Sequence, residues 1–494
     1  MGLNWRGHPG RPWLLIATGL AIVGAASAVL LLRNPGTQRI ASSWPRIVKA
    51  GTTCGLIDRT GHFVVNPQYD AINPPFRSGL YPMSRNGRWG VIDASGREVV
   101  APGFEFAAIS PGPMATADVQ LLKEGRIGIA DEGGVRIQPA FAMPLMFSAD
   151  GVAVAVRARG TARPRGPDDI ESASLIDRTG RVLASSPNWL TGVPAGAGLY
   201  IMVERGPDVR QLRSRLVNQA GQPVVDRSFE QLLPFDEQGL ALFRDNGKWG
   251  FINTRGEVAI PARFDEVDRG GRISFTPFDD SGMAAAAFGG RWGYIDRSGN
   301  WVIQPQFATA SKFGSQGLAV VGAGGDNGSG LIDRQGHYVL NPQFARIGTV
   351  SLGGLIPVAR RQGPQLQDPL IWGFANLAGE VVVEPRFHGF ALPHDGSGLV
   401  AVDTGQLRFQ SFSESYDESG GIERYWSATD AHWGFIDARG NTVIAPAYQN
   451  AEGFDETGLA AVQSNSLWGF IDRTGQLVIR PQFQAMECNG REPH

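Results

Sequence analysis

Apolar and polar positions recur in a fixed order along most of the chain. An apolar run such as "GLAAV" (Gly458–Val462) is followed, after a polar turn, by "WGFID" (Trp468–Asp472) and then by "QLVIRP" (Gln476–Pro481). Alternating or apolar runs rich in β-branched residues are typical of strands. Three such runs separated by turns predict a three-stranded β-meander in each repeat.

The turn after "WGFID" has the same chemistry in every copy. Its first residue is Asp or Asn in eleven copies, namely Asp58, Asp93, Asp131, Asp177, Asn218, Asn253, Asp296, Asp333, Asn376, Asp437 and Asp472. Three residues later each copy has Gly, for example Gly61, Gly96, Gly299 and Gly475. The Asp or Asn side chain accepts hydrogen bonds from turn amides, and Gly adopts the positive φ that closes the turn. We therefore predict eleven hairpins.

Aromatic residues mark each repeat as well. Tryptophan opens the second run at Trp89, Trp249, Trp292, Trp372, Trp433 and Trp468, whereas Cys54, Ile127, Ala173, Ser214 and Ser329 take its place elsewhere. A lone three-stranded sheet is not stable by itself, so neighbouring repeats must cover one another. The tryptophans are predicted to pack between repeats. The alternative is a series of aromatic platforms for sugars or choline-like cations.

The repeated phrase carries a family resemblance. The segments "KWGFINTRGEVAIPARFDEV" (Lys248–Val267), "RWGYIDRSGNWVIQPQF" (Arg291–Phe307) and "HWGFIDARGNTVIAPAY" (His432–Tyr448) resemble the bacterial WG-repeat family. The resemblance runs from Cys54 to Phe483 and is weakest in the third to fifth copies. It implies an all-β repeat scaffold, often behind an export signal, with no general catalytic motif.

The repeats can be arranged in two ways. The array, predicted over residues 49–490, is either an open superhelix of stacked meanders or a propeller-like closed ring. Closed propellers usually have four to eight regular blades. Eleven unequally spaced units therefore favour the open superhelix.

One N-terminal segment differs from the rest. Trp13–Leu32 comprises 20 residues without a charge, which is long enough to cross a bilayer as a helix. Residues 1–12 precede it as a leader, and residues 33–48 are predicted to be a tether. We interpret the segment as a signal anchor that holds the body outside the cytoplasm at the inner membrane, with export after signal cleavage as the alternative.

Charge and composition narrow the classes of partner that the protein is expected to bind. The chain has 45 basic and 47 acidic residues, a net charge of -2, so no global field would attract nucleic acid. With 66 Gly and 32 Pro beside regular strand patterns, the composition indicates dense turns and not disorder. A nucleic-acid partner is not expected.

Two insertions interrupt the regular spacing. The longer one spans residues 403–430 and carries five aromatics, Phe409, Phe412, Tyr416, Tyr425 and Trp426. It is either a solvated loop or a recognition loop that supplies the candidate ligand-binding residues. The other, near residues 157–170, is basic and then acidic and reads as a surface loop. "GAGGDNGSG" (Gly322–Gly330) is similar to calcium-binding turns, but one copy favours a plain turn, and we expect no metal.

Candidates for catalysis are few. None of the seven histidines has a zinc-ligand spacing. The nearest cluster is His388, His394 and Asp395, which fits satisfied surface residues better than a catalytic set. No nucleophile elbow, P-loop or dinucleotide-binding motif is present, so we expect no enzyme activity and no cofactor.

The two cysteines bracket the array. Cys54 takes the tryptophan place of the first copy and Cys488 follows the last copy. A disulfide between them requires the two ends of the array to meet and is the alternative that an oxidising compartment would allow, whereas two unrelated buried thiols are the favoured interpretation.

Repetition extends a surface and does not build one pocket. We therefore interpret the chain as a non-catalytic, membrane-tethered scaffold that binds a protein or an envelope polymer. The alternative from another class is an envelope-sugar hydrolase with acids from the longer insertion, namely Glu414, Asp417, Glu418 and Glu423. An aromatic-platform carbohydrate-binding module is the third reading.

Overall fold

The structure is a computed structural model that describes residues 44–488 except 76–78, 110–117, 161–163, 165, 207–210, 269–276, 325–327, 349, 351–353, 364–367, 406–411, 417–421 and 427–430. These residues form eleven sheets, called blades 1 to 11 in chain order, and one separate two-stranded hairpin. One short 3-10 turn, Pro167–Asp169, lies between strands of blade 4.

The strands, blade by blade, are β1 (Arg46–Ala50), β2 (Thr53–Ile57) and β3 (Phe63–Tyr69); β4 (Ala71–Ile72), β5 (Leu80–Arg85), β6 (Arg88–Asp93) and β7 (Glu98–Phe104); β8 (Phe106–Ile109), β9 (Val119–Lys123), β10 (Arg126–Asp131) and β11 (Gly134–Phe141); β12 (Val152–Ala158), β13 (Ile170–Asp177) and β14 (Val182–Ser186); β15 (Trp189–Gly196), β16 (Leu199–Arg205) and β17 (Leu212–Asn218); β18 (Gln231–Phe235), β19 (Leu240–Asp245), β20 (Lys248–Asn253) and β21 (Val258–Phe264); β22 (Glu266–Val267), β23 (Ala284–Phe288), β24 (Arg291–Ile295) and β25 (Trp301–Phe307); β26 (Thr309–Ala310), β27 (Ala319–Gly322), β28 (Ser329–Ile332) and β29 (Tyr338–Phe344); β30 (Arg346–Ile347), β31 (Ile356–Arg361), β32 (Leu370–Ala375) and β33 (Val381–Phe387); β34 (Gly389–Ala391), β35 (Val400–Asp403), β38 (Trp433–Ile436) and β39 (Thr442–Tyr448); and β40 (Asn450–Ala451), β41 (Ala460–Ser464), β42 (Leu467–Ile471) and β43 (Leu477–Phe483). The separate hairpin is β36 (Phe412–Tyr416) and β37 (Ile422–Trp426).

Most blades have four antiparallel strands where three were predicted. In blade 6 the order is β18-β19-β20-β21, and β19 to β21 are the predicted meander. The added first strand is short because it is the continuation of the previous blade's last strand. In blade 7, for example, one residue, Asp265, separates β21 of blade 6 from β22. One residue separates the two strands at seven of the ten boundaries between successive blades, and each of these connecting segments pairs with both blades.

The glycine of "WG" is explained by the backbone that faces it. Pairing between the third and fourth strands shifts register after the tryptophan, as between Trp468↔Phe483 and Phe470↔Ile479. This bulge brings the partner backbone close, so a Cβ on Gly469 would lie 2.5 Å from the carbonyl oxygen of Ile479 and 2.6 Å from the nitrogen of Pro481. The Pro has no N–H to donate, which suits a bulge. The "WG" and "I-x-P" signatures are thus two sides of one structural feature.

The predicted turns are present in all eleven copies. The Gly after each Asp or Asn has positive φ, with +85° at Gly61 and +85° at Gly475. The Gly475 amide donates to the carbonyl of Asp472, and the Asp472 carboxylate accepts from the amides of Thr474 and Gln476. The turn glycine also packs between blades, since a Cβ on Gly299 of blade 7 would lie 2.6 Å from Cγ2 of Ile260 in blade 6.

The eleven blades close into a propeller ring, so the prediction of an open superhelix is wrong. The contacts between blades 11 and 1 repeat those between internal neighbours. Gly61 of blade 1 meets Ile479 of blade 11 at 2.9 Å from its ideal Cβ, in the same way as Gly299 meets Ile260. The Gln484 amide donates to the carbonyl of Lys49, so the segment after β43 takes the missing first-strand place of blade 1. Each blade is rotated relative to the previous one, and the sum of these rotations brings the eleventh blade back to the first.

A disulfide crosses the same seam. Cys54 and Cys488 are bonded, with Cα atoms 6.0 Å apart and a sequence separation of 434. We expected two unrelated thiols, and closure brings the pair together instead. The Ile72 amide donates to the carbonyl of Cys488, which ties the same segment to blade 2.

The N-terminal boundary differs from the prediction in one respect. Arg46 to Val48, assigned to the tether, belong to β1, where Val48 is fully buried. The predicted span Trp13–Leu32 lies outside the described residues. Within the part of the chain that the structure describes, no helix is long and apolar enough to cross a bilayer.

Candidate functional site: the two faces of the ring

Antiparallel connectivity sorts the loops onto two faces. In a four-stranded blade the Asp turn joins the third and fourth strands, and the loop between the first and second strands lies at the same end. Blades 1 and 4 lack the first strand of this set and blade 5 lacks the fourth, so their strands are numbered by the same positions. We call this end the turn face. The connection between the second and third strands lies at the opposite end, which we call the insertion face. The chain enters on the turn face, because Arg46 of β1 pairs with Ile57 directly before the Asp58 turn.

The turn face is tied together by ion pairs between blades. Arg297 in the Asp turn of blade 7 contacts Asp236 of blade 6 at 2.7 Å, and Arg334 of blade 8 contacts Asp279 of blade 7 at 3.1 Å. The carboxylates are buried and the arginines are only partly exposed. At the closing seam Arg46 takes this role toward Asp455 at 2.9 Å.

Sequence reasoning missed this second motif. Asp236, Asp279 and Asp455 each begin a further D-x-x-G turn, ahead of the second strand, and each follows a Phe. The guanidinium of Arg297 also lies 4.6 Å from the ring centre of Phe278. The recurrence of "FD" before "GLA" or "GMA" was the available signal, and it places an aspartate where an arginine of a neighbouring blade lies.

Hydrogen bonds hold several of the turn aspartates, Asp93 and Asp177 among them, in their charged form. The hydroxyl of Ser95 lowers the pKa of Asp93 to about 2, and that of Thr179 lowers the pKa of Asp177 to about 2. Charge-assisted bonds of this kind stabilise the carboxylate over the carboxylic acid. These acids are therefore structural groups and are poorly suited to proton transfer near neutral pH.

The six tryptophans of the "WG" positions each lie against the next blade. Trp89 of blade 2 packs on Phe106 of blade 3 with ring centres 5.0 Å apart, and Trp372 of blade 9 packs on Phe390 of blade 10 at 4.9 Å. Trp249 is buried between blades 6 and 7. The remaining three, Trp292, Trp433 and Trp468, are half-buried in the clusters shared with blades 8, 11 and 1. A row of solvent-facing aromatic platforms does not fit this arrangement.

Five of the eleven blades have a lengthened connection on the insertion face. Six blades make the connection between the second and third strands with two residues, as Asn246–Gly247 does in blade 6. Five blades use longer segments, namely 159–169 in blade 4, 206–211 in blade 5, 323–328 in blade 8, 362–369 in blade 9 and 404–432 in blade 10. Both insertions found in the sequence therefore share this face with three others.

Neighbouring blades hold the blade 4 insertion from both sides. Arg126 of blade 3 donates to the carbonyls of Ala158 and Gly160. Arg205 of blade 5 donates to the carbonyl of Pro167 at 3.2 Å and to the carboxylate of Asp168 at 3.0 Å. The insertion is thus part of a shared surface of three blades.

The blade 10 insertion contains the separate hairpin. Its pairing places Phe412 opposite Trp426, Tyr416 opposite Ile422 and Ser413 opposite Tyr425. Directly paired residues, and residues two apart, share one face of a ribbon. Four of the predicted ligand-binding positions are thus within this ribbon, with 412, 416 and 426 on one face and Tyr425 on the other. Phe409 lies outside the described residues.

The candidate catalytic residues do not converge. Glu414 pairs with Arg424 and Ser415 pairs with Glu423, so the two glutamates lie on opposite faces of the ribbon. Asp417 and Glu418 lie outside the described residues. Glycosidases need two carboxylates flanking one bond, and this register gives that alternative no support.

The histidine cluster is also divided. His388 precedes β34, whereas His394 and Asp395 follow it on the turn face. Asp395 pairs with Arg473 of blade 11 at 2.7 Å, which makes it a member of the ion-pair series. Burial lowers the pKa of His388. Among the described residues, no group of three or more His, Cys, Asp or Glu is placed to hold a metal ion.

Comparisons with known proteins agree with the repeat. The profile of the "WG containing repeat" matches residues 55–89, 89–110, 215–249, 249–292, 292–325, 330–359, 372–402, 433–468 and 468–489. These segments cover more than half of the chain. The unmatched stretch after residue 110 holds blades 3 to 5, where Ile127, Ala173 and Ser214 replace the tryptophan. A comparison with curated protein sequences found no match.

Several solved structures are similar to this chain over much of its length. A eukaryotic initiation factor is 12% identical, with 69% of this chain and 95% of that chain covered and a TM-score of 0.41. Sqt1 of Saccharomyces cerevisiae is 10% identical, with 64% and 96% covered and a TM-score of 0.30. PorZ of Porphyromonas gingivalis, a surface component of the type-IX secretion system, is 11% identical, with 81% and 63% covered and a TM-score of 0.22. Likeness at this level does not identify a shared function.

Proposed function

The chain belongs to the WG containing repeat family, and from that premise we propose that it is a non-catalytic binding scaffold whose recognition surface is the insertion face. The observation that carries the proposal is that five of the eleven blades lengthen the connection on this face beyond the two-residue turn of the other six, and that both insertions into the repeat spacing lie there. In repeat proteins, insertions at one end of the repeat commonly form the binding face, because the scaffold positions them rigidly. On the turn face the connections between the first and second strands also vary in length, as 197–198 in blade 5 and 268–283 in blade 7 show, but ion pairs between blades tie that face together.

A protein or an envelope polymer is the proposed partner. The ribbon β36–β37 offers three aromatic positions on one face, and aromatic residues dominate the energetics of protein interfaces. The net charge of -2 does not favour nucleic acid. The insertions cluster in blades 4 and 5 and in blades 8 to 10, which suits a partner that spans the ring.

The proposed location is outside the cytoplasm, with Trp13–Leu32 as the membrane anchor. Two observations support it. A structural disulfide between Cys54 and Cys488 suits an oxidising compartment. The chain enters blade 1 on the turn face, so a tether at this point would hold the insertion face away from the membrane.

Binding by the insertion face is tested by shortening one insertion. A variant with residues 404–432 replaced by Asn-Gly, the turn of blade 6, should lose at least tenfold in affinity for a partner captured by the parent protein, measured by titration with the purified partner. Arg439→Glu, exposed on the turn face of the same blade, is the matched control and should bind normally. Equal affinity of the shortened variant, or a similar loss in the control, would refute the assignment of the face.

The location is tested separately. A reporter active only outside the cytoplasm, fused to the C-terminus of the full chain, should be active and should sediment with membranes. An active cytoplasmic reporter would reverse the placement, whereas activity in the soluble exported fraction would favour signal cleavage.

A further inference from the structure

A cavity of about 310 Å³ lies between blades 9 and 10. Phe387, the last residue of β33, forms part of its wall, and blade 10 supplies Thr404, Thr442, Ile436 and Ile444. An apolar cavity of roughly 150 Å³ is enough for benzene. This space therefore accommodates a ring with a substituent.

The other seams show what normally covers this aromatic. In three of them an arginine from the next blade lies over it, with Arg85 4.9 Å from the ring centre of Tyr69, Arg157 5.1 Å from that of Phe141 and Arg360 5.2 Å from that of Phe344. In three others an aromatic ring does so, with Phe63 on Phe483 at 6.1 Å, Trp301 on Phe264 at 5.6 Å and Tyr338 on Phe307 at 6.3 Å.

Blade 10 has a threonine at each of the two positions that supply the covering arginine or the covering aromatic residue in other blades. The arginines directly follow the residue that pairs with the tryptophan position, as Arg360 follows Ala359 opposite Trp372. Thr404 occupies the same position in blade 10, because it follows Asp403, which pairs with Trp433. The covering aromatics come two residues after the turn glycine, where blade 10 has Thr442 after Gly440. Both substitutions shorten the side chain, and both threonines line the cavity.

The charge at the cavity comes from Arg386. Its guanidinium lies 5.0 Å from the ring centre of Phe387, as that of Arg263 lies 5.2 Å from Phe264. Arg263 also donates to the carbonyl of Gly299 in the next blade, whereas Arg386 has no hydrogen bond or ion pair to the described residues. The nearby acid, Glu384, pairs with Arg360 at 3.3 Å. Arg386 is thus an exposed cation without a carboxylate partner.

We propose that this cavity binds a small aryl carboxylate, with its carboxylate on Arg386. Its ring lies beside the buried Phe387, which is 3% exposed, in the space that an arginine or an aromatic side chain of the next blade fills at six other seams. Ring-on-ring packing at three seams shows that the geometry accepts an aromatic group against this position. A guanidinium binds a carboxylate through two parallel N–H donors. The proposal does not depend on the insertion face binding a partner.

Phenylacetate is the probe, with phenylacetamide as its neutral counterpart. The methyl resonances of Ile436 and Ile444, recorded on the full chain, should shift on titration with phenylacetate, with a dissociation constant on the order of millimolar. Phenylacetamide should bind at least tenfold more weakly. Arg386→Gln should weaken phenylacetate to the same degree.

Thr404→Arg restores the cover found in blades 2, 4 and 9 and should abolish the shifts without lowering the melting temperature. Ser464→Arg, at the equivalent place in blade 11, is the matched control and should leave phenylacetate binding unchanged. Should Thr404→Arg fail to fold, the Arg386→Gln comparison still decides the question. No methyl shift at about 20 mM phenylacetate, equal binding of the amide, or unchanged binding by Arg386→Gln would overturn the proposal.

Discussion

At the scale of single residues, the repeat depends on two kinds of backbone constraint. The turn glycines need positive φ, and the "WG" glycines need the absence of a Cβ. The Asp or Asn side chain stabilises the same turn as the positive-φ glycine, because a carboxylate or an amide oxygen serves equally as the acceptor for two turn amides. Asn253 accepts from the amides of Arg255 and Glu257, as Asp472 does in its own turn. The array therefore tolerates Asp and Asn but fixes Gly.

Gly469→Ala should be strongly destabilising. The added Cβ would meet the Ile479 carbonyl and the Pro481 nitrogen, which are backbone atoms held by the bulge. We expect a loss of roughly 2–4 kcal/mol in the free energy of unfolding, measured by urea titration, as for other overpacked positions. Gly103→Ala is the control, since its nearest atom is 3.9 Å away, and it should be close to neutral. A neutral Gly469→Ala would contradict the bulge explanation.

Asp93→Asn should make the protein less sensitive to acid. The folded-state pKa of Asp93, about 2, lies below its ordinary value, so its stabilising effect is present above about pH 4 and is lost as the pH falls toward 2. Asn keeps the turn acceptor but does not titrate. The fall in melting temperature between pH 5 and pH 2 should therefore be smaller in the variant.

The control for the pH experiment is Asn253→Asp, the reverse change in blade 6, which should enlarge the same fall. A pH profile of Asp93→Asn that is parallel to the parent's over this range would show that the turn carboxylate is not linked to folding.

At the scale of the elements, each blade is completed by its neighbours. At most boundaries the last strand of one blade continues after one residue into the first strand of the next, and each tryptophan of the "WG" positions is covered by the following blade. A single repeat would leave both its tryptophan face and its first-strand edge uncovered. The described hydrophobic clusters accordingly span two blades, as the cluster of Trp249, Val267 and Phe278 does for blades 6 and 7.

Trp89→Ala tests the packing between blades. Trp89 is 4% exposed and packs on Phe106 of the next blade, so its removal should cost roughly 3–5 kcal/mol. Val302→Ala, at a position 50% exposed, should change the free energy of unfolding by less than about 0.5 kcal/mol. Unchanged stability of Trp89→Ala would revive the aromatic-platform interpretation.

At the scale of the whole molecule, the seam between blades 11 and 1 is the place where the ring can open. It repeats the internal contacts between blades, and it adds the disulfide and the Arg46–Asp455 pair. The stacking of Arg46 on Phe470, 5.0 Å from the ring centre, strengthens the same joint. The first and last segments of the described chain are therefore fixed to each other.

Replacing both cysteines by serine should lower the free energy of unfolding by roughly 2–4 kcal/mol, because the crosslink restricts the unfolded chain. Hydrogen exchange should accelerate at the amide of Ile72, which donates to Cys488, and should stay unchanged at the amide of Asp268 in blade 7. Reduction of the parent protein should have the same effect. Identical stability under oxidising conditions would show that the disulfide is absent or makes no contribution.

The sequence by itself determined the all-β class, the eleven copies and their turns, because each depends on contacts within a few residues. Asp472 and Gly475 specify one turn wherever the chain goes. The tertiary structure alone decided that the ring closes, that Cys54 meets Cys488, and that five insertions share one face. Closure depends on small rotations between blades that add up over eleven steps, and no single repeat records their sum. The sequence also did not predict that one blade's last strand continues into the next sheet, because the strand that pairs with this continuation belongs to the following repeat.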